Sequence, residues 1–311
     1  MSRRRHSRTG VSLLEVIVVL AVIGVLFSLI LPAIQSSRET SQRMSCAHNL
    51  HEIGVGLFSA EESSGSLPAS SDCLVQLLPH LGLASEYDAV TSLPPLRGPD
   101  PPIALFRCPS DSVLNTTFGF PTNYQINLGT AFPDVANGMK LNGFRIAGTG
   151  YKGTRFRDIT DGSSHTAAFS ERLLTDEIAM TLPAATLAAE PRRYAWHTQL
   201  RFSSQGEEGL AVEQCQQHRT YPSPASIIQI QYVNMHDGYQ HLLTPNQRAC
   251  FNGPSRSFGL ENNLVSPSSL HTGGVNTLFA DGSVHFVDNS IDIRVWRALG
   301  SRDEGETEAV F

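Results

Sequence analysis

The stretch Val11-Ser-Leu-Leu-Glu15-Val-Ile-Val-Val-Leu-Ala-Val-Ile-Gly-Val-Leu-Phe-Ser-Leu-Ile-Leu-Pro-Ala-Ile34 decides how the rest of the chain is read. From Val16 to Ile34 it runs for 19 residues without a charge. As a helix rising about 1.5 Å per residue it covers roughly 30 Å, one hydrocarbon core. Upstream, Arg3, Arg4, Arg5 and Arg8 crowd a decapeptide that holds no acid. By the positive-inside rule these bases stay cytoplasmic and everything after Ile34 is exported. A cleaved secretory signal would have an apolar region of about 7–15 residues and a small-residue cleavage site. This run is longer, and Pro32-Ala-Ile-Gln-Ser-Ser37 is a poor match. The expectation is a single-pass membrane protein with an exported body.

Glu15 argues against a plain anchor. A carboxylate inside an apolar span costs several kcal/mol unless it is paired or lies near the interface. A cut after Gly10 would place the new α-amino group of Val11 one helical turn away, and a neighbouring copy could offer the same amine. Such a buried pair specifies register between packed helices.

Arg8-Thr-Gly10 followed by Val11-Ser-Leu-Leu-Glu15 resembles the type IV prepilin leader of class III. The resemblance implies cleavage after Gly10 by a prepilin peptidase, which also N-methylates the new terminus. The departure is Val11, where the family more often carries Phe or Met. Pro32 falls where pilin helices often carry a kinking proline.

The helix is expected to continue past the membrane. Over Gln35–Phe58, Met44, Ala47, Leu50, Ile53, Leu57 and Phe58 recur at three- and four-residue spacing, with Arg38, Glu39, Gln42, Arg43, Asn49 and Glu52 between them. That is an amphipathic stripe, weakened in its last turn by Gly54 and Gly56. The organisation follows: a leader over residues 1–10, a hydrophobic then amphipathic helix over 11–60, and an exported α+β domain over 61–311. The fold class is α+β, a long N-terminal helix packed on a mostly antiparallel sheet, as in pilins.

The body is rich in turns. Leu74–Leu83 is an apolar patch read as a short helix or strand, and Pro94, Pro95, Pro99, Pro101 and Pro102 mark a loop. Asn137-Gly138, Asn142-Gly143, Asp161-Gly162, Asp237-Gly238 and Asp281-Gly282 favour hairpin turns. The clearest hairpin lies within residues 266–300. A two-residue turn at Asp281-Gly282 would pair Phe279 with Val284, Leu278 with His285 and Thr277 with Phe286. A last helix is expected with Ser290 as cap, Ile291, Val295, Trp296 and Leu299 on one face, and Gly300 as its end.

Composition excludes other classes. The chain has 311 residues, 41% hydrophobic and 17% charged, with 25 Gly and 18 Pro. It is no disordered, collagenous or coiled-coil sequence. The formal charge is −6, and without the decapeptide 19 bases face 29 acids, leaving −10. Phosphate backbones would repel such a body, so nucleic acid is not an expected partner.

Further segments extend the resemblance over nearly the whole chain. They are Arg43-Met-Ser-Cys46-Ala-His-Asn49-Leu50, Phe106-Arg-Cys108-Pro-Ser-Asp111, Thr154-Arg-Phe-Arg-Asp158-Ile-Thr-Asp161-Gly162, Ser266-Pro-Ser-Ser-Leu-His271-Thr-Gly-Gly274 and Leu278-Phe-Ala-Asp281-Gly282-Ser-Val284. Together they are similar to the prepilin-like family known as domain of unknown function 1559, with its C-terminal H-x9-DG segment from His271 to Asp281 and Gly282. The resemblance implies a pseudopilin-like envelope protein of a bacterial inner membrane, with a periplasmic or otherwise extracytoplasmic domain.

An exported chain with five cysteines is expected to carry disulfides with one cysteine left over. Connectivity does not follow from sequence. Cys46 and Cys108 stand in motifs that match the family, and the resemblance pairs them; Cys215 and Cys250 then form a second pair and Cys73 remains. A loop of about 60 residues would contribute roughly 4 kcal/mol in the chain-entropy model.

Three Asp-Gly-x-x-His segments, Asp161–His165, Asp237–His241 and Asp281–His285, could with His236 and His271 suggest a divalent metal and a hydrolase. The simpler reading is that Asp-Gly makes a turn and the histidine lands on the returning strand. His271, which opens the H-x9-DG segment, is expected to hydrogen-bond the turn or the hairpin backbone, in a structural or a functional role. No Cys-x-x-Cys, G-x-S-x-G, P-loop or H-E-x-x-H occurs. Glu61-Glu62 and Glu207-Glu208 read as solvated loops. The expectation is therefore no enzyme, no cofactor and no metal. Its partners would be the prepilin peptidase, the membrane, and copies or relatives joined through the N-terminal helix. The alternatives are a non-polymerising envelope-binding domain for glycan or protein and, behind it, a metal-dependent hydrolase.

Overall fold

The computed structural model describes residues 13–68, 73–93, 102–112, 121–131, 142–144, 153–174, 191–193, 195–198, 206–217, 238–252 and 263–305. The protein is α+β. Helix α1, Leu13–Ser64, runs 52 residues through Pro32. The chain divides into two compact units, Met1–Gln42 and Arg43–Phe311, and α1 supplies residues to both.

In the first unit every residue from Leu13 to Arg38 is exposed. Leu20, Phe27 and Leu31 keep 62%, 64% and 58% of their surface. By length and composition this part of α1 can cross a membrane.

In the second unit α1 buries Cys46, Leu50, Ile53, Leu57 and Ala60 at three- and four-residue steps. The stripe is rotated from the expected one. Met44 is 67% exposed and Phe58 42% exposed, while Cys46, small and apolar, takes the core position. Gly54 and Gly56 do not end the helix. Each lies where a Cβ would press on a neighbour, Leu278 Cδ1 at 3.1 Å from Gly54 and Leu81 Cδ2 at 2.9 Å from Gly56. The helix ends at Gly65, whose φ of +75° suits a glycine just past a C-terminus. Glu61 and Glu62 therefore lie on α1 and not in a loop, and Glu61 Oε1 accepts the Phe156 amide at 2.8 Å.

After α1 come α2, Cys73–Leu77, a 3₁₀ turn over Leu78–Leu81, and α3, Ala84–Thr91. The described strands of the domain form two sheets. Strands β1 (Tyr124–Ile126), β2 (Ala167–Glu171), β6 (Gly274–Phe279) and β7 (Val284–Asp288) form an antiparallel sheet in the order β1-β2-β6-β7. The smaller sheet orders β3 (Ala195–Thr198), β4 (Ala249–Asn252) and β5 (Asn263–Leu264), with β3 parallel to β4. Helix α4, Glu208–Gln217, precedes β4; Glu208 thus opens a helix and accepts the Gly206 amide at 2.7 Å. Helix α5, Ile293–Ala298, closes the domain.

Strand β6 is buried throughout. Leu278 joins the core of α1, Phe106, Tyr124 and Phe169, whereas Val275 and Phe279 join the core of Val287, Trp296 and Leu299. The two buried polar residues of β6, Asn276 and Thr277, are hydrogen-bonded to Glu171 and Ser170 of β2.

The hairpin differs from expectation by one residue: Leu278 pairs with Val284, Thr277 with His285 and Asn276 with Phe286. The turn runs from Phe279 to Gly282, with the Gly282 amide donating to Phe279 O at 3.0 Å and the Phe279 amide to Ser283 O at 2.8 Å. Gly282 follows with φ of +87°, so it acts as the left-handed residue of a bulged turn and adds one position to the loop. Gly238 lies where a Cβ would overlap Ile126 O, beside the parallel bridge of Asn127 and Tyr239. The last helix is capped by Asp292, which accepts the Arg294 amide at 2.8 Å. Ser290 instead donates through its amide to Asp288 Oδ1 at 2.7 Å. Asn137-Gly138, Asp237 and the proline run over 94–101 lie outside the described residues.

Candidate functional site

Two features of the second unit converge on one buried spot. Across the large sheet, Tyr124 on β1 pairs with Glu171 on β2, and Ser170 pairs with Thr277 on β6. The next rung sets Glu171 beside Asn276. Side chains alternate between faces, so Tyr124, Glu171 and Asn276 line the same face as Phe169 and Leu278, the one packed with the stripe of α1.

On that face Cys46 of α1 forms a disulfide with Cys108, 62 residues on. Glu171 Oε2 accepts the Asn276 amide at 2.9 Å and its Oε1 accepts Asn276 Nδ2 at 2.7 Å. His271 Nε2 lies 3.4 Å from Glu171 Oε1 and 3.6 Å from Cys108 Sγ. Tyr124 Oη donates to Cys46 O at 3.2 Å and accepts from Asn49 Nδ2 at 3.2 Å, and the same Asn49 amide donates to Arg107 O at 3.0 Å. Cys46, Glu171, His271 and Tyr124 are all buried. Burial, and then the neighbouring Glu171 carboxylate, push the Tyr124 phenol well above its ordinary range, so it stays a neutral donor.

A second node braces this one. Asp111 accepts Asn123 Nδ2 and the Leu174 amide through Oδ2, both at 2.8 Å, and Arg193 Nη1 through Oδ1 at 2.8 Å. Asn123 Oδ1 accepts the Cys108 amide at 3.0 Å. The motif around Cys108 is thus a folded turn whose aspartate ties it to the exit of β2. Beside it, burial and then Arg193 lower the Arg172 guanidinium to about 10, while its Nη1 donates to Ser268 Oγ at 2.8 Å.

The chain from residue 35 to 294 matches a family model described as a protein of unknown function, DUF1559. The chain belongs to the DUF1559 family. No curated protein and no solved structure matches it significantly. The DUF1559 match begins after the apolar run and takes in Cys46, Cys108, Glu171, His271, Asp281 and Gly282.

The other anticipated groups are dispersed. Gly10 and Val11 lie outside the described residues, and Glu15 sits in the first turn of α1. Cys215 and Cys250 form a disulfide in an apolar cluster with Leu242, Leu243 and Leu264. Cys73 is buried and outside both bridges. Asp281 Oδ1 accepts the Ser283 amide at 2.9 Å, so it shapes its own turn. Asp161 is filled likewise, accepting Ser301 Oγ at 3.0 Å and the Gly305 amide at 2.8 Å.

Among the described residues the histidines of the Asp-Gly-x-x-His segments do not gather. His165 bonds near its own turn, with Nδ1 3.2 Å from Ser164 Oγ, and His285 is exposed, edge-on to Phe279. His236 is outside the described residues. His241 is fully buried, stacked on Trp296 with Nδ1 2.7 Å from Trp296 O and Nε2 3.0 Å from Tyr239 Oη. Burial lowers its pKa to about 3.

The described residues do bring together one set of metal-ligand types, Cys46, Cys108, Glu171 and His271, with ligand atoms within 4.8 Å of one another. Sequence reading missed Glu171. Its one signal is an acid and a base, Glu171 and Arg172, closing the uncharged run Thr166-Ala-Ala-Phe-Ser170.

Proposed function

We propose that this DUF1559 chain is a membrane-anchored, pseudopilin-like structural protein. A prepilin peptidase would cut it after Gly10, leaving Val11 as an N-methylated terminus. The supporting observation is α1 itself: a fully exposed apolar stretch with Glu15 in its first turn, continuing as one helix into residues that build the domain core. A stretch that leaves Leu13–Ile34 uncovered needs lipid or other helices around it. Glu15 in such surroundings needs a positive partner, and the amine of Val11, its own or a neighbour's, would supply one. Two disulfides favour an exported domain. In this role the protein sits in the inner membrane with its domain outside the cytoplasm, joins a pilus-like or secretion-type assembly through α1, and needs no catalytic chemistry.

Intact-mass and N-terminal sequencing of membrane-extracted protein test the processing. The expected chain starts at Val11 with one added methyl group, and a mature chain that starts earlier overturns the reading. Crosslinking in membranes tests assembly: Glu15→Ala should lower self-association, and an unchanged pattern would favour a non-polymerising envelope-binding domain.

A further inference from the structure

We propose that reduction of the Cys46–Cys108 bond converts this spot into a four-coordinate site for a divalent transition metal of the zinc type. Its ligands are the two cysteine thiolates, His271 Nε2 and Glu171 Oε1. This inference does not depend on the assembly role.

The geometry carries it. A tetrahedral zinc site has metal–sulfur bonds of about 2.3 Å and metal–nitrogen and metal–oxygen bonds of about 2.0–2.2 Å. Tetrahedral angles then require about 3.6 Å between sulfur and nitrogen and about 3.4 Å between nitrogen and oxygen. The structure has Cys108 Sγ to His271 Nε2 at 3.6 Å and His271 Nε2 to Glu171 Oε1 at 3.4 Å. All four ligand atoms lie within 4.8 Å of one another, and the covalent bond between the two sulfurs, which keeps them too close to share a metal, is what reduction releases.

The surroundings match a structural metal site. The carboxylate is oriented by two N–H donors of Asn276, as outer-shell groups orient metal ligands. All four residues are at most 5% exposed, leaving no open coordination position for water. A disulfide by itself needs neither a carboxylate nor an imidazole beside it. The second bridge shows this, since Cys215–Cys250 lies among leucines. A Cys-x-x-Cys is not needed for this set, because the fold and not local spacing brings its four residues together, from α1, the Cys108 turn, β2 and the segment before β6.

The conversion balances. A dithiol gives two electrons and two protons to the two sulfurs and leaves as a disulfide. Metal binding then displaces both thiol protons to solvent.

The test uses the full-length chain in detergent micelles, without oxygen, reduced by a phosphine and titrated with Co²⁺. The expected result is one equivalent bound, with thiolate charge-transfer and tetrahedral d–d absorption, and none bound by the oxidised chain. The metal should protect Cys46 and Cys108 from alkylation while Cys73, Cys215 and Cys250 are labelled once the chain is opened in mild denaturant. Glu171→Gln, which preserves shape, should weaken binding at least about tenfold. His271→Ala should do the same, and the alkylation map of the wild type decides the matter if that variant does not fold. Several results would overturn the proposal: no cobalt bound by a reduced chain that keeps its near-UV circular dichroism, equal binding by the oxidised chain, or protection of Cys215 and Cys250 instead. Loss of the tertiary signal on reduction, unrestored by metal, would overturn it too.

Discussion

The two stretches of α1 share one helical geometry and have opposite surfaces. From Leu13 to Arg38 every side chain is exposed and apolar residues occur all around the helix. From Cys46 to Ala60 one stripe is buried, and Arg43, Asn49 and Glu52 lie off it. The difference shows what fixes a helix in place. The first stretch is apolar enough to be helical in lipid with no fold behind it, since in hydrocarbon the backbone must satisfy itself internally. The second is held by contacts: the core around Leu50, Ile53 and Leu57, the Asn49 and Tyr124 bonds, and a covalent link from Cys46 to Cys108.

The largest test of that difference is to cut the link. Replacing both Cys46 and Cys108 by Ser opens a loop of 62 residues and should cost the domain about 4 kcal/mol in the chain-entropy model. The Cys215 and Cys250 pair closes 35 residues and should cost slightly less by the same account. Denaturant unfolding of the full chain in micelles, followed by near-UV circular dichroism, ranks the two. A smaller loss for the first pair would mean that the disulfide merely duplicates the packing of α1.

Next in size is a matched pair of truncations. Leu50→Ala removes a fully buried side chain from the core and should cost about 3 kcal/mol. Leu20→Ala, at a residue 62% exposed, should leave domain unfolding within about 0.5 kcal/mol of the wild type. Equal losses would break the distinction between the stretches.

Acid probes the second unit through a buried histidine. His241 has its pKa lowered to about 3 from an ordinary 6.5 because burial disfavours the imidazolium. The unfolded chain therefore takes up the proton first. This contribution is complete above 6.5 and is lost as pH falls toward 3, at about 1.4 kcal/mol per unit. His241→Asn should flatten that slope in unfolding measured across the same window. A slope that survives in the variant would assign it to other groups.

Much of the architecture is legible in the sequence, because its signals are local. The charge-free run, the three- and four-residue stripe and the Asp281-Gly282 turn each announce an element. What fails is phase. Counting Met44 and not Cys46 rotates the stripe, because cysteine looks polar but packs as a small apolar group. Reading Asp281-Gly282 as the two central turn residues shifts the hairpin by one, because the same dipeptide also serves a turn with a left-handed glycine after it. The candidate site is less legible still. Cys46, Cys108, Glu171 and His271 span more than two hundred residues of chain, and it is the register of β1, β2 and β6 that brings Tyr124, Glu171 and Asn276 into one row. His271 is visible through its motif, whereas Glu171 has meaning only once its strand is known to be buried.

The smallest expected effect concerns the glycines. In a helix interior Gly→Ala normally gains about 1 kcal/mol. At Gly24 a Cβ would meet nothing within 4 Å, so Gly24→Ala should leave the domain unchanged. At Gly54 it would lie 3.1 Å from Leu278 Cδ1 and 3.6 Å from the backbone of Gly282, and Leu278 is fully buried. The crowding should offset the propensity gain, leaving no net stabilisation. Thermal unfolding of both variants measures this. If Gly54→Ala showed the full helical gain, the glycine would not be there for close approach to β6, and the second stretch of α1 would be held more loosely than its contacts indicate.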